Sequence, residues 1–407
     1  MTGTSPPLSG VKVTEFGGSV AAAYVGALLR ACGADVVKVE PPGTGDPIRR
    51  LPPFAPDARF PEASGMQAFL DAGKRSIAIA AEQDRGRALC RDLALSADVV
   101  IEARGSGFLA SIGLASPGDS DPVVLSLSWF GQDGPAASWQ ASDAVIQAMA
   151  AHIHAIGPVA GPPVIPGGYQ SQISAGVTAY IGVMAALLGR MPDGPGVLVE
   201  QSVFEAYLAY AEPGAVRYAY EGEDTQRQGF NRFPPVYPQT IYPTGDGWLG
   251  VTVLTPPQWK ACCVLLGLED LIDDPRFNTS NLRYRNADDL DVYMLKALKG
   301  RSALDLFHAG QAERLPFALV PELSEIEELD HFRAREVFAD YGHPDQGRFR
   351  APAIPFNFGA TPVLAGGTAP RLGAQAEEIL RDRLSLGAED IRALQQERVV
   401  STGELMA

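Results

Sequence analysis

The chain has 407 residues, 46% of them hydrophobic, which is enough to bury a large core and too many for one ordinary domain, so two lobes are expected. Its 33 basic side chains against 48 acidic ones give a formal charge of -15, which repels polyanions and argues against a nucleic acid or a membrane surface as partner. An anionic ligand then depends on local positive groups.

Met1 to Gly10 shows no basic stretch followed by an apolar run, so no secretory leader is expected. From Val11 to Phe16 an apolar run reads as a strand, followed by a small-residue helix from Val20 to Ala31 that Gly33 ends, then a strand from Asp35 to Val39. The pattern recurs with Ser76 to Ile79 as strand, Asp84 to Leu95 as helix, and Asp98 to Glu102 and Val123 to Ser128 as strands. Strands and helices alternating on that period predict a parallel sheet covered on both faces. Two helices follow, Ser142 to His154 and Ser174 to Arg190, with a Gly- and Pro-rich loop from Gly157 to Gly168 between them. The apolar stretch from Val177 to Leu188 is short of a bilayer span and reads as a buried helix.

After Pro213-Gly214 the composition changes. Arg227 to Pro238 is rich in aromatics and proline, and Trp248 to Leu254 reads as a strand of a separate sheet. The expected organisation is α/β: a Rossmann-like large domain from residues 1–215 and 330–407, and a smaller α+β domain over 225–325. The tail from Leu372 to Val400 carries helical spacing and returns to the large domain. Cys32, Cys90, Cys262 and Cys263 offer neither a disulfide framework nor a C-x-x-C pattern, and the five histidines show no metal-ligand spacing. No metal and a cytoplasmic location are expected.

Gly105-Ser106-Gly107 after the strand ending at Glu102 is a loose dinucleotide fingerprint, which would seat a phosphate on a helix N-terminus. No acidic residue closes the following strand, so a nicotinamide oxidoreductase is a minor alternative beside a plain glycine turn.

Longer segments carry more. Gly33 to Asp46 (GADVVKVEPPGTGD), Gly73 to Ile77 (GKRSI), Ser128 to Pro135 (SWFGQDGP), Ser142 to Ala148 (SDAVIQA), Asp274 to Phe277 (DPRF) and Leu372-Gly373 follow one another in an order that resembles the family III CoA-transferases, the formyl-CoA transferase, CaiB and BaiF family. The resemblance covers nearly the whole chain. It implies a Rossmann-like large lobe built from both ends of the chain, a small lobe, and an interlocked dimer. It also implies coenzyme A or an acyl-CoA as substrate, with no permanently bound cofactor. The implied chemistry uses an aspartate that attacks the acyl-CoA carbonyl, forms a mixed anhydride and becomes an aspartyl thioester.

In the family that aspartate stands four positions before the glycine corresponding to Gly176, and here the position is Gln172. A neutral amide is a feeble oxygen nucleophile. Tyr169, Gln170, Ser171 and Ser174 add no carboxylate, and the nearest later acids in sequence are Asp193, Glu200 and Glu205. The related 2-methylacyl-CoA racemases pair the same aspartate with a histidine at the position that is Ser142 here. His152 and His154, spaced i and i+2, face different directions.

The implied coenzyme site departs as well. Glu82 stands where the family has a phosphate-binding lysine, Ser111 where it has an arginine, and the Ala-Gly-Pro of the active-site loop is Ala21, Ala22 and Ala23. Lys74, Arg75 and Arg104 are the expected phosphate contacts, with Arg49 and Arg50 as further cations. Two functional readings follow: a divergent CoA-transferase in which Gln172 binds or polarises a carbonyl, or a non-catalytic acyl-CoA-binding member, alone or as the silent subunit beside a catalytic paralogue.

Overall fold

The computed structural model describes residues 5–105, 107–115, 122–190, 196–210 and 212–401. The chain divides into two compact units, one of residues 1–152, 165–220 and 336–407, the other of residues 153–164 and 221–335.

In the first unit, Lys12–Glu15 (β1), Val20–Ala31 (α1) and Asp35–Glu40 (β2) form a βαβ unit. Ser19 starts α1 by accepting the Ala22 N–H at 3.1 Å, and Gly33 leaves it at φ 97°, a conformation glycine adopts without strain. Gly65–Leu70 (α2), Arg75–Ile79 (β3), Asp84–Leu95 (α3), Val99–Glu102 (β4), Phe108–Ser111 (α4) and Val123–Ser128 (β5) follow. Then come Asp143–Met149 (α5), Gln170–Gly189 (α6), Leu198–Ser202 (β6), Val203–Tyr210 (α7) and Glu212–Glu221 (α8).

Helix α5 is shorter than the expected Ser142 to His154, because Ala151 turns to φ 59° and the chain continues as a 3-10 turn over His152–Ala155. Helix α6 begins earlier than expected, at Gln170.

The second unit contributes Gln239–Pro243 (β7), Trp248–Thr252 (β8) and Phe317–Leu319 (β9), an antiparallel sheet in the order β7-β8-β9. Its helices are Pro256–Leu266 (α9), Ser280–Arg285 (α10), Ala287–Leu298 (α11), Ala303–Ala312 (α12), Leu323–Ile326 (α13) and Asp330–Ala334 (α14). Leu249, Val251, Trp259, Phe277, Leu290 and Phe317 are buried in its core. Back in the first unit, Phe338–His343 (β10), Gly347–Pro352 (β11) and Gly367–Thr368 (β12) make a small sheet, and Ala376–Leu384 (α15), Ala388–Gln396 (α16) and Val400–Ser401 (β13) close the chain.

The large sheet runs β13-β3-β2-β1-β4-β5-β6, with every pair parallel except β13 on β3. Both faces are covered. Val13, Val36, Val99 and Ile101 pack under α1, α6 and α7, while Val37, Val39, Ile77 and Ile79 pack under α3, α15 and α16. Val36 and Val37 point to opposite faces, as a pleated strand requires, which is why β2 carries valines toward both layers of helices. Strand order reverses between β1 and β4. In an open parallel sheet that reversal leaves a crevice at the carboxyl ends of those two strands, where ligands bind.

Helix α6 is long and apolar enough, by length and composition, to cross a membrane. It packs closely on α1, where Gly176 allows the backbone approach: an added Cβ would lie 3.1 Å from Ala21 O. The reading of this stretch as a buried helix short of a bilayer span is corrected on both counts: the helix has 20 residues, and Ile181 and Leu188 on it are exposed.

Candidate functional site

The crevice holds a cavity of about 630 Å3, lined by residues that follow β1 (Phe16, Gly18, Ser19), β4 (Ala103, Arg104, Gly105) and β5 (Trp129, Gln132) and by Asp46, Trp139 and Gln140. Its volume lies in the range of small-molecule and cofactor sites. Gly17 and Gly18 sit at φ 55° and 115°, and Gly18 donates its N–H to Asp46 Oδ2 at 2.9 Å. A Cβ on Gly17 would fall 1.8 Å from Asp46 Oδ2, and one on Gly18 would fall 2.2 Å from Ala103 O, so the loop from β1 to α1 passes between its neighbours only as glycine.

Arg104 forms one wall. Its Nε donates to Phe16 O at 2.8 Å and its Nη2 to Val39 O at 2.7 Å, and the guanidinium lies over the Phe108 ring at 4.9 Å. Burial lowers its pKa from the ordinary value, and Arg104 stays charged at neutral pH because guanidinium is so strong a base. Nη1 has no partner among the described residues and is the nitrogen left for a ligand. Glu102 holds the following turn, accepting from Arg104 N at 2.5 Å, Gly105 N at 3.0 Å and Ser126 Oγ at 3.2 Å. Those bonds occupy the Arg104 and Gly105 amides that a dinucleotide fingerprint would offer to phosphate, and α4 beyond the turn is four residues long. Ser106 lies outside the described residues.

Beneath the loop is a buried ion network. Lys38 Nζ lies 3.0 Å from Asp71 Oδ1, 3.2 Å from Glu15 Oε1 and 3.5 Å from Asp46 Oδ2, with all four side chains almost fully buried. Lys74 Nζ donates to Glu15 Oε2 at 2.7 Å, Asp71 Oδ1 at 2.9 Å and Ala23 O at 2.9 Å. Arg49, fully buried, binds Glu40 through Nε at 2.6 Å and Nη2 at 2.9 Å. Burial alone would push the Asp71 and Glu40 carboxyls up, yet Lys38 and Lys74 beside Asp71, and Arg49 beside Glu40, hold both below their ordinary values.

Carboxyls with lowered folded-state pKa contribute stability at neutral pH that is lost as pH falls through the carboxylate range. The midpoint of chemical unfolding is therefore expected to drop steeply from roughly pH 5 to pH 3, read by denaturant titration at each pH. A flat profile would show that the network is not a net source of stability.

This network corrects two expected phosphate contacts. All three ammonium hydrogens of Lys74 are spent inside it, and neither Lys74 nor Arg75 lines the cavity. Arg75 opens β3, at the opposite end of the strand from the crevice, and is paired with Asp35 at 2.6 Å, Glu378 at 2.9 Å and Asp382 at 3.1 Å. Of the expected three, Arg104 alone borders the cavity. Ala21, Ala22 and Ala23 are also corrected: they lie in the first turn of α1, fully buried, and not on a loop.

Gln172 sits in the first turn of α6, almost fully buried. Its Oε1 accepts the Val20 N–H at 3.0 Å and its Nε2 donates to Asp143 Oδ2 at 2.8 Å. The backbone N–H can only donate and an ionised carboxylate can only accept, so this orientation of the amide is forced. Asp143 Oδ1 in turn accepts from Ser171 N at 2.7 Å and Ser171 Oγ at 2.6 Å. Asp143 is half-buried at the start of α5 and beside the start of α6, where it takes up one of the first-turn N–H groups that α6 leaves without a partner inside the helix.

The sequence shows Asp143 only as part of a motif. Its contact with Gln172 spans 29 residues and carries no local signal. Glu200 and Glu205 are exposed, bonded to Gln132 N at 2.7 Å and Ser202 Oγ at 2.7 Å, and Asp193 lies outside the described residues. Ser142 is exposed, and His152 packs edge-on to Tyr207 at 5.3 Å instead of pairing with Gln172.

Glu62, His343 and Asp345 bring ligand atoms close enough to hold a cation. Their charge is already compensated: Arg49 pairs with Glu62 at 3.0 Å, and Arg371 clasps Asp345 through two bonds of 2.7 Å. His343 Nδ1 accepts the Asp345 N–H at 3.2 Å, so the other ring nitrogen carries the hydrogen that faces Glu62 at 3.0 Å. The geometry is that of a hydrogen-bonded brace.

The sequence model of CoA-transferase family III matches residues 8–376. The chain belongs to that family. It is 30% identical over 402 residues to the succinyl-CoA–D-citramalate CoA-transferase of Chloroflexus aurantiacus, covering 97% of this chain and 98% of that one. It is 29% identical to the succinate–glutarate CoA-transferase of Agrobacterium fabrum, covering 94% of this chain and 97% of that one. The crystal structure of a CaiB/BaiF family protein from Brucella suis superposes with a TM-score of 0.82 at 26% identity, over 93% of this chain and all of that one, at 100%. The parallel-sheet α/β architecture of the large unit is thus that of family III CoA-transferases, which take CoA thioesters as substrates.

Proposed function

We propose that the protein binds an acyl-CoA in the crevice at the ends of β1 and β4 and transfers its coenzyme A to a second carboxylic acid. The observation that carries this reading is the cavity itself. It lies at the topological switch point, with a cationic donor, Arg104 Nη1, on one wall and two tryptophans, Trp129 and Trp139, among the others. A half-buried guanidinium suits a phosphate or carboxylate, and the indoles offer apolar surface to an acyl or pantetheine chain. The relatives named above act on succinyl-CoA or succinate, which makes short dicarboxylic acyl-CoAs the first probes to try.

The test is a calorimetric titration with succinyl-CoA and, separately, free CoA. Saturable binding is expected, and Arg104→Gln is expected to weaken it about tenfold or more, since a hydrogen bond to a charged group contributes roughly 1.5–3 kcal/mol. No heat from either ligand at millimolar concentration would overturn the reading.

A second reading, the non-catalytic acyl-CoA-binding subunit, is favoured by Gln172. Its amide is spent on Val20 N and Asp143 and supplies no carboxylate. On either reading we propose a cytoplasmic protein that pairs, as an interlocked homodimer or with a catalytic paralogue. Ile181 and Leu188 on α6 and Tyr218 and Tyr220 on α8 leave apolar surface exposed that a second chain would cover. Native mass of the purified protein, alone and copurified, separates the two assemblies.

A further inference from the structure

The transferase reading above requires a carboxylate that can attack a thioester, and the inference that follows rests on that reading. The acids around the crevice differ in what they have free. Asp46 is almost fully buried and committed at both oxygens, to Gly18 N and to Ile48 N at 2.9 Å each, with Lys38 behind it. Glu102 is fully buried, bound by three donors, and pushed up in pKa by burial. Glu200 and Glu205 are exposed.

Asp143 alone among these combines partial exposure with fixed orientation. Two donors from Ser171 lock Oδ1, and one donor from Gln172 aims Oδ2. Neither residue of the pair lines the cavity itself, but both stand next to its wall in the chain or through a hydrogen bond: Ser19, on the wall, precedes the Val20 amide that holds Gln172, and Gln140, also on the wall, lies three residues before Asp143.

We propose that Asp143 is the nucleophile of this chain and that Gln172 and Ser171 are its positioning residues. The neutral amide at 172 then has a reason. It joins the α1 N-terminus to the reacting carboxylate without placing a second negative charge beside it, which would raise the pKa of one of the pair. In the step proposed, Asp143 Oδ2 attacks the thioester carbonyl, the C–S bond breaks, and CoA leaves as thiolate. The product is a mixed anhydride of the acyl group and Asp143. The thiolate attacks the Asp143 carbonyl of that anhydride, the donor acid leaves as carboxylate, and Asp143 carries CoA as a thioester. An acceptor carboxylate attacks this thioester and releases CoA thiolate, which then attacks the acceptor carbonyl of the second anhydride. Acyl-CoA product leaves and the Asp143 carboxylate is restored.

The experiment is to incubate the native assembly with succinyl-CoA, reduce with borohydride, and map peptides by mass. Conversion of Asp143 to the alcohol, a loss of one oxygen and a gain of two hydrogens, dependent on succinyl-CoA, is the expected result. Asp143→Asn is expected to lower transfer about a thousandfold or more. Because Asp143 also caps α6, its role is read on the wild-type peptide map first, which no folding defect can mimic. A variant that loses thermal stability but keeps transfer within tenfold would make Asp143 a cap only and overturn the assignment. Reduction at another carboxylate, or no reduction in protein that binds succinyl-CoA, overturns it as well and leaves the acyl-CoA site standing. Absence of binding overturns both.

Discussion

Lys38→Met is expected to cost the first unit at least about 3–5 kcal/mol and to lower its melting temperature by roughly 10 °C or more. Lys38 has no access to water, and its ammonium is the shared counter-ion of Glu15, Asp46 and Asp71. Methionine matches its length but leaves those carboxylates facing one another in a medium that solvates them poorly. Lys74 compensates Glu15 and Asp71 only in part. The same change frees Asp46, whose Oδ2 holds Gly18 N, so binding in the crevice is expected to weaken together with stability. Differential scanning calorimetry and succinyl-CoA titration of the one variant report both. The double variant Lys38→Met/Asp71→Leu is expected to recover part of the loss, because a buried pair removed on both sides costs less than one broken on one side. A Lys38→Met protein melting within 3 °C or so of the parent would show that the network contributes little.

Gly18→Val is the second large effect. The residue sits at φ 115°, where a β-branched side chain is strongly disfavoured, and its Cβ would meet backbone, Ala103 O at 2.2 Å. Backbone cannot swing aside as a side chain can, so the ends of β1 and β4 must part. The expected result is a loss of about 2–4 kcal/mol in stability and more than tenfold in acyl-CoA affinity, checked by denaturant titration and calorimetry. Gly43 offers the control. It has φ 71° but nothing within 4 Å of a built Cβ, so Gly43→Ala bears the backbone strain without the collision. Equal losses at the two positions would mean that conformational strain, and not the narrow passage beside Ala103, sets the requirement for glycine.

The sheet was legible in the sequence where local chemistry agreed with tertiary demand. Helix α1 runs over Val20–Ala31 as read, because Ser19 and Gly33 mark its ends, and α3 and β5 likewise match their apolar patterns. Strand β6 carries no such signal. It alternates exposed and half-buried residues at the sheet edge and lacks the apolar run that marked its neighbours. The β10–β11 hairpin shows in the sequence only as a turn signal at its tip, Asp345, Gln346 and Gly347, because its strands mix charged and apolar residues.

The site was legible in its frame and not in its charges. Lys74 sits beside Arg75 in sequence and looks like a surface cation, yet its partners Glu15 and Ala23 are more than fifty residues away and inside the fold. Gln172 stood out in the sequence by its residue type. What its amide touches could not be read there, since Val20 and Asp143 reach it only through the packing of α1 and α5 against α6.

Strand β13 runs antiparallel along the otherwise open margin of β3, with Val400 against Ile79 and Ser401 against Ala78. Without it, the hydrogen-bonding groups of β3 would be free to recruit a strand from another molecule. Shortening the polypeptide to end before Val399 would therefore do more than trim a tail: it would turn a capped border into a template for intermolecular stacking, and insoluble material would form before any loss of ligand affinity could be measured.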